Sequence, residues 1–151
     1  PAALSGLALL QHLDLSHNQI HHLSAVLWQC MHLQRLDLSS NRISQLPDLL
    51  GQLTYLQRLD LNSNRLSHLP ETLGELTRLQ RLDLRNNRLR QLPVALDQLM
   101  HLQRLDLSGN PALGIPAKII QKRWQPLDII YYYFKMQLVI DTSLNQEAIS
   151  Q

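Results

Sequence analysis

Leucines recur along this chain in a fixed hydrophobic and polar pattern, L-x-x-L-x-L, that returns every 23 residues. The clearest copies are the consecutive segments 56–78, LQRLDLNSNRLSHLPETLGELTR, and 79–101, LQRLDLRNNRLRQLPVALDQLMH. Five asparagines share one phase of this period: Asn18, Asn41, Asn64, Asn87 and Asn110. A fixed period of about 20–50 residues indicates a solenoid of stacked repeats.

Each repeat predicts the same two elements. The alternation in L-x-x-L-x-L is typical of a half-buried strand, with leucines inward and the residues between them on a solvated face. The phase asparagine follows at a turn, where it tolerates unusual φ/ψ angles and can bond backbone groups in a ladder. Prolines then open a segment whose leucines are spaced by three, which favours a short 3-10 or helical turn. These prolines are Pro47, Pro70 and Pro93.

The motif L-x-x-L-x-L-x-x-N-x-L, followed by x-x-L-P-x-x-L-x-x-L-x-x, resembles the leucine-rich repeat of the 23-residue type. The resemblance covers about residues 4–120. It implies a right-handed α/β solenoid of about five units, a horseshoe with a parallel sheet on its concave side and short turns on its convex side. It also implies a protein-interaction module.

The start of the chain falls inside a repeat. Pro1 has the phase of Ser24 and of the repeat prolines, so the strand half of its unit is missing. We expect more protein upstream, because solenoids need polar terminal caps; the alternative is that the leading segment is itself a minimal cap. An uncapped edge strand would leave end-to-end self-association open.

Two residues of the first full unit depart from the pattern. Cys30 has the phase of Leu53, Leu76 and Leu99, which predicts a buried apolar side chain rather than a reactive thiol. Trp28 has the phase of two glycines and an aspartate. We therefore expect Trp28 at an exposed convex position, in reach of upstream structure.

The repeat pattern ends near residue 122, where Lys122 takes the phase of a core leucine. We assign residues 1–125 to the solenoid, 126–140 to a C-terminal capping helix and 141–151 to a flexible tail or linker. Pro126 and Asp128 suit a helix start.

The packed face of this helix follows from i, i+3, i+4 spacing. It comprises Ile130, Tyr133, Phe134, Gln137 and Leu138. A strand over the aromatic run 131–134 is the alternative.

The C-terminal segment GNPALGIPAKIIQKRWQPLDIIYYYFKMQ carries a second resemblance. It is similar to the junction that follows the repeats in Roco-type proteins, where a Ras-like GTPase domain and a COR domain come next. The residues that suggest it are Gly109, Asn110, Pro111, Leu113, Pro116, Ile119 and the I-I-x-Y-Y-F helix. The resemblance implies a regulatory repeat domain of a larger GTPase. No G-x-x-x-x-G-K-[ST] motif occurs in this chain, so nucleotide binding is not carried over.

The composition says more about the cellular location of the protein than about its partner. The net charge of +2 is too small to imply attraction to nucleic acid or to a membrane by itself. The chain has one Cys and no N-x-S/T sequon, and no signal-peptide pattern or apolar run near 18 residues. These features favour a reducing, cytoplasmic location.

The predicted concave face presents three columns of polar residues, one residue per unit. The first is His12, Arg35, Arg58, Arg81 and Arg104; the second is Asp14, Asp37, Asp60, Asp83 and Asp106; the third is Ser16, Ser39, Asn62, Arg85 and Ser108. Arginine and aspartate two positions apart share a face, so the first two columns could form a self-neutralising ladder of ion pairs. Alternatively they form a docking surface for a protein or a neighbouring domain of the parent chain.

The candidate binding residues are Arg35, Asp37, Arg58, Asp60, Asn62, Arg81, Asp83, Arg85, Arg104 and Asp106. Arg85 interrupts its column and adds to a basic region that includes Arg78, Arg88, Arg90, Lys118, Lys122 and Arg123. This region is either a solvated surface or a contact for an acidic protein. Nucleic acid is disfavoured, because no aromatic residues interleave with the arginines.

Catalytic, cofactor and metal sites find little support in the sequence. Five histidines cluster early in the chain: His12, His17, His21, His22 and His32. A metal site needs three or four converging ligands, and His21 and His22 point apart in an extended stretch. G-x-S-x-G and H-E-x-x-H are absent. We expect neither an enzyme nor a bound cofactor.

Overall fold

A computed structural model describes residues 6–121 and 125–150, and within these residues the repeats form one five-stranded parallel sheet. The strands are β1 His12–Asp14, β2 Arg35–Asp37, β3 Arg58–Asp60, β4 Arg81–Asp83 and β5 Arg104–Asp106. They lie in chain order, and every paired residue is 23 positions from its partner. The predicted solenoid is confirmed.

Short 3-10 turns form the convex side. They are η1 Ala25–Gln29, η2 Asp48–Gln52, η3 Glu71–Glu75, η4 Val94–Gln98 and η5 Pro111–Leu113. The repeat prolines stand directly before three of these turns, and the Pro47 carbonyl accepts a hydrogen bond from the Leu50 N–H. Ser24 replaces proline before η1, and its hydroxyl accepts from the Val26 N–H at 3.3 Å.

The leucine columns fill the space between the sheet and the turns. Leu33, Leu56 and Leu79 are fully buried. Cys30 is also buried, which confirms its predicted core position. Burial raises the pKa of the Cys30 thiol and thereby disfavours the thiolate that a nucleophile would need.

Trp28 contradicts the sequence expectation, because its side chain is buried rather than exposed. The same phase in later units faces the next convex turn. A Cβ added to Gly51 would lie 2.9 Å from the Thr72 Cβ, and one added to Gly74 would lie 2.6 Å from the Ala95 Cβ. Glycine therefore lets η2, η3 and η4 pack closely, whereas η1, which has Trp28 at this phase, packs less closely on η2.

The predicted asparagine ladder is present. Asn64 Nδ2 donates to the Leu38 carbonyl of the preceding unit at 2.9 Å and to the Leu61 carbonyl of its own unit at 3.1 Å, and its Oδ1 accepts from the Ile43 N–H at 3.0 Å. Asn41, Asn87 and Asn110 repeat this arrangement.

The unusual backbone angle lies one residue before each asparagine. A positive φ occurs at each of these preceding positions: His17, Ser40, Ser63, Asn86 and Gly109. The asparagine side chains bond backbone groups as expected, but the left-handed conformation belongs to their neighbours, and only the last unit has glycine there.

Two helices follow the repeats in the described part of the chain, α1 Ala117–Gln121 and α2 Pro126–Ser150. The aromatic run 131–134 lies within α2, so it is helical and not a strand. Ile129, Ile130 and Tyr133 of this helix are buried. The Tyr133 hydroxyl accepts a hydrogen bond from the Leu92 N–H at 3.3 Å, which fixes α2 beside η4.

The structure corrects two expectations for α2. Leu138 is 68% exposed rather than packed, because the buried contacts lie in the first two turns of the helix. The helix continues to Ser150, whereas the polar sequence from residue 141 had predicted a flexible tail or linker. Lys122, Arg123 and Trp124 lie outside the described residues. No helix in the described part of the chain is long and apolar enough to span a bilayer.

Candidate protein-interaction face

The sheet register places the predicted columns side by side on the concave face. Arg35, Arg58, Arg81 and Arg104, here called the arginine column, occupy matching positions on adjacent strands, with His12 on β1. The aspartate column, Asp14, Asp37, Asp60, Asp83 and Asp106, runs beside it. Neighbouring parallel strands are about 4.8 Å apart, so like charges face one another along both columns.

The expected ladder of ion pairs between the columns forms at one strand only. Arg58 Nε lies 2.8 Å from Asp60 Oδ2. Arg35, Arg81 and Arg104 are exposed and form no ion pair with any residue of 6–121 or 125–150. Three of the four guanidinium groups in the column are therefore free for an incoming acceptor.

Most of the aspartates instead bond the backbone where their own strand ends. Asp37 Oδ1 accepts from the Ser39 N–H at 2.9 Å and from the Ser39 hydroxyl at 2.6 Å. Asp14 and Asp106 make the same pair of bonds to Ser16 and Ser108. The Ser16 hydroxyl, followed by the Ser16 N–H, lowers the pKa of Asp14. These carboxylates have a structural role that the sequence pattern did not indicate.

Asp60, in the middle of its column, has a different environment. Its side chain is buried, and burial raises its pKa above the ordinary value of 3.8. The hydrogen bond and charge of Arg58 act in the opposite direction, while the flanking Asp37 and Asp83 raise the pKa further. Arg58 thus stabilises the charged form of a buried carboxylate. Its guanidinium group is therefore less available to a partner than those of the other arginines in the column.

Arg85 is the second engaged guanidinium of this face. It donates to Asp83 from Nε and from Nη2, with a shortest distance of 2.7 Å, and its Nε lies 3.6 Å from Asp106 Oδ2 on the next strand. The hydrogen bond to Asp83 raises the pKa of Arg85. Asn62 Nδ2 also donates to Asp83, at 3.3 Å. Arg85 therefore neutralises two neighbouring aspartates.

Two shallow hollows of about 290 Å³ each follow the columns. The first is lined by His12, Asp14, Arg35, Asp37, Arg58 and Asp60; the second is lined by Arg58, Asp60, Arg81, Asp83, Arg85, Arg104 and Asp106. Nine of the ten candidate binding residues line a hollow, and Asn62 reaches the second through Asp83. His12 and Asp14 complete the first hollow, and their phase in the columns already indicated this position.

The basic region of the last units divides into separate surfaces. Arg81, Arg85 and Arg104 line the second hollow, whereas the Arg78 guanidinium lies over the Tyr55 ring at 4.3 Å. Arg88, Arg90 and Lys118 are exposed and line neither hollow. Lys122 and Arg123 lie outside the described residues, so the described part of this region is not one continuous basic patch.

The early histidines do not gather into a metal site in the structure. Within residues 6–121 and 125–150, no group of three or more His, Cys, Asp or Glu side chains is arranged to hold a metal ion. His12 lines the first hollow, and the His32 ring lies 5.4 Å from the Tyr55 ring.

Comparison with protein families agrees with this geometry. The family model described as a leucine-rich repeat region matches residues 1–108, and a second leucine-rich repeat model matches residues 101–122. The chain belongs to the leucine-rich repeat family. Leucine-rich repeat proteins generally mediate protein–protein interaction, and their repeats are typically non-enzymatic scaffolds.

Solved leucine-rich repeat structures share the fold. The leucine-rich repeat protein LIC12759 of Leptospira interrogans is 44% identical, with a TM-score of 0.68 over 73% of this chain and 28% of that one. The functional domain of InlJ from Listeria monocytogenes is 31% identical, with a TM-score of 0.63 over 71% of this chain and 22% of its own.

A plant structure adds a relative with a bound ligand. The plant peptide hormone receptor RGFR1, in complex with RGF2, is 34% identical, with a TM-score of 0.63 over 68% of this chain and 17% of the receptor. This chain thus spans less than a third of each of these three relatives. None of the curated proteins compared with the chain matches it.

Proposed function

We propose that this leucine-rich repeat chain is a protein-interaction module whose concave face binds an acidic segment of a partner or of a neighbouring domain. The observation that carries the proposal is the state of the arginine column. Arg35, Arg81 and Arg104 are exposed and without an ion pair in the described residues, while the adjacent aspartates bond serine or Arg85.

The energetics of the column favour an anionic ligand. Arg81 and Arg104 lie on paired positions of adjacent strands, where like charges side by side are destabilising. A carboxylate placed between them would relieve this repulsion and could accept hydrogen bonds from both groups. The aspartates that could have done so are held by Ser108 and by Arg85.

The similar plant receptor supports the class of ligand that we propose. In the plant structure the receptor is a peptide hormone receptor in complex with RGF2. By analogy we infer that an extended protein segment lies along the concave face here, contacting both hollows. This segment would carry carboxylate groups spaced to meet Arg35, Arg81 and Arg104.

We further propose that the chain is the regulatory repeat domain of a larger Roco-like GTPase that works in the cytoplasm and that is not itself catalytic. The support is the resemblance of residues 109–137 to the junction after the repeats in that family. Sequencing the natural transcript downstream of Gln151 tests this part separately. A P-loop motif G-x-x-x-x-G-K-[ST] within the next several dozen codons is the expected result, and a stop codon or an unrelated domain would refute it.

The test of the binding face is capture of a partner from lysate of the source organism. The test variant carries Arg35→Gln, Arg81→Gln and Arg104→Gln, which removes the free guanidinium groups without adding negative charge. The matched control carries Arg42→Gln, Arg65→Gln and Arg88→Gln, three exposed arginines that repeat at one phase away from both hollows. Circular dichroism and thermal unfolding verify that both variants fold.

The expected result is a specific partner that the parent and the control retain and that the test variant loses. Equal capture by all three proteins would move the binding site away from the concave face. Absence of any specific partner would favour a structural repeat without a ligand of its own.

Self-association is a separate proposal. Within the described residues β1 is an edge strand, paired only with β2. We propose that unpaired backbone groups of β1 allow end-to-end association at high concentration. Sedimentation velocity over a concentration series would show a rising sedimentation coefficient, and a constant monomer would contradict it.

A further inference from the structure

A second surface lies on the convex side, in a groove between α2 and the η4 turn. We propose that this groove, here called the α2 groove, binds an amphipathic, positively charged helix of a partner protein. This site is independent of the concave face and of any ligand bound there.

The α2 groove is large and apolar in its interior. Its volume is about 690 Å³, more than twice that of either concave hollow. Val94 of η4 forms one wall, and Ile130, Phe134 and Leu138 of α2 contribute to the other. Val94 and Leu138 are 63% and 68% exposed. An exposed apolar surface that is bordered by polar residues is typical of a protein-interaction site.

The charged residues that line the groove favour a ligand with positive charge. Three carboxylates line it: Asp97 on η4, and Asp128 and Asp141 on α2. Among the described residues that line the groove there is no Lys or Arg. The Lys135 ammonium group lies 6.0 Å from the centre of the ring of Tyr131, which is one of the lining residues. The net negative border attracts a cationic partner and repels an anionic membrane surface.

The spacing of the carboxylates suggests the length of the ligand. Asp128 and Asp141 are 13 positions apart on one continuous helix, which corresponds to about 20 Å at a rise of about 1.5 Å per residue. A helix of about three to four turns would span this distance. An amphipathic helix that lies in an apolar groove presents anchors at i, i+3, i+4 and i+7, and its basic residues would then meet the aspartates.

A second copy of this chain is a poorer occupant. The exposed apolar residues of α2 continue past the groove, with Ile140, Leu144 and Ile149. However, residues 139–150 contain Asp141 and Glu147 and no Lys or Arg. Docking this segment into the α2 groove of another copy would bring like charges together.

The test is a titration with three designed 14-residue peptides that carry a fluorescent label. The first places Leu at i, i+3, i+4 and i+7 and Lys at the remaining positions. The second replaces every Lys by Glu, and the third has the composition of the first in scrambled order. Fluorescence anisotropy reports binding to the full chain, and sedimentation velocity reports any dimer.

Matched variants locate the peptide on the protein. Asp97→Asn with Asp141→Asn removes two border charges, and its control is Asp48→Asn with Glu147→Gln, two exposed carboxylates outside the groove. Asp128 is left intact because it lies in the first turn of α2. Leu138→Ser removes one exposed apolar wall residue, and Ile149→Ser, at an 85% exposed position, is its control.

The expected result is binding of the Leu/Lys peptide alone. Its affinity should fall about fivefold or more with the Asp97 and Asp141 double variant and about tenfold with Leu138→Ser, while both controls bind as the parent does. Equal binding of the scrambled peptide, or equal affinity for the test and control variants, would overturn the proposal. A dimer that Leu138→Ser disrupts, without peptide binding, would overturn it in favour of a second copy.

Discussion

Arg58 and Asp60 lie two residues apart on β3 and form, within the described residues, the one ion pair that joins the arginine column to the aspartate column, with Nε 2.8 Å from Oδ2. The carboxylate is buried between the aspartates of two neighbouring strands. The pair therefore compensates a locally unfavourable charge, and its neighbours Arg35 and Arg81 lack such an acceptor. Within one column, Arg58 therefore stabilises the fold, whereas the guanidinium groups without an ion pair can bind a ligand.

The raised pKa of Asp60 predicts a pH dependence of stability. Because burial raises its pKa in the folded state, the fold binds this proton more tightly than the unfolded chain does. The contribution of Asp60 to stability is therefore most favourable below its ordinary value of 3.8 and decreases as the pH rises through its folded pKa. Asp60→Asn should gain stability relative to the parent between acidic and neutral pH, as measured by urea unfolding at pH 3 to 7.

Asp14 provides a control, because its pKa is shifted in the opposite direction from that of Asp60. Its pKa is lowered by Ser16, so its contribution is present above 3.8 and is lost as the pH falls through its folded pKa. Asp14→Asn should therefore lose stability relative to the parent toward neutral pH. The same pH trend for both variants would contradict the assigned environments.

The asparagine ladder predicts a large cost at an interior unit. Asn64→Ala leaves the buried Ile43 N–H without its acceptor and removes one of the two asparagine bonds to each of the Leu38 and Leu61 carbonyls, which keep those from Asn41 and Asn87. We expect the free energy of unfolding to fall by about 2–4 kcal/mol. Asn18 is exposed and bonds only the Leu15 and Ser16 carbonyls of its own unit, so Asn18→Ala should cost less than about 1 kcal/mol. Similar losses for the two variants in urea unfolding would contradict a stabilising role for the asparagine bonds that join neighbouring repeats.

The docking of α2 depends on the Tyr133 hydroxyl. Tyr133→Phe removes the acceptor of the buried Leu92 N–H and should lower the free energy of unfolding by about 1–2 kcal/mol. Tyr131, which is 68% exposed, is the control, and Tyr131→Phe should change stability by less than about 0.5 kcal/mol. Thermal unfolding of both variants measures the difference. No loss for Tyr133→Phe would show that the apolar contacts of α2 hold the helix without this bond.

The close packing of the convex turns depends on glycine at the Trp28 phase. In Gly74→Ala the new methyl group would lie 2.6 Å from the Ala95 Cβ and 2.6 Å from the Ala95 carbonyl oxygen, so η3 and η4 must separate. We expect a loss of about 1–3 kcal/mol in urea unfolding. Gly6 has open space around it, so Gly6→Ala is the control and should be nearly neutral. An unchanged stability of the Gly74 variant would mean that the turns separate freely.

Much of this architecture follows from the sequence because the repeat period is exact. Strand positions, the asparagine ladder and the buried Cys30 depend on phase alone, and phase can be counted. Trp28 could not be placed in the same way, since its burial depends on the distance between successive convex turns. The end of α2 was missed because the polar residues 141–150 lack the apolar periodicity that marks a packed helix, although they are compatible with an exposed one.

The sequence predicted which residues share the concave face but not which side chains bond one another there. The columns place the ten residues on one face, yet an aspartate has a polar neighbour two positions away on either side. Asp37 lies between Arg35 and Ser39 and bonds Ser39, whereas Asp60 lies between Arg58 and Asn62 and bonds Arg58. The α2 groove was not predictable, because it requires the position of α2 against η4.

The most direct test of the concave face compares affinities for the captured partner. Arg81→Gln with Arg104→Gln removes two free guanidinium groups, and Arg65→Gln with Arg88→Gln removes the same charge from exposed positions outside both hollows. Isothermal titration calorimetry should show a loss of about tenfold or more for the first pair and little change for the second. Equal affinities for the two double variants would contradict recognition through the arginine column.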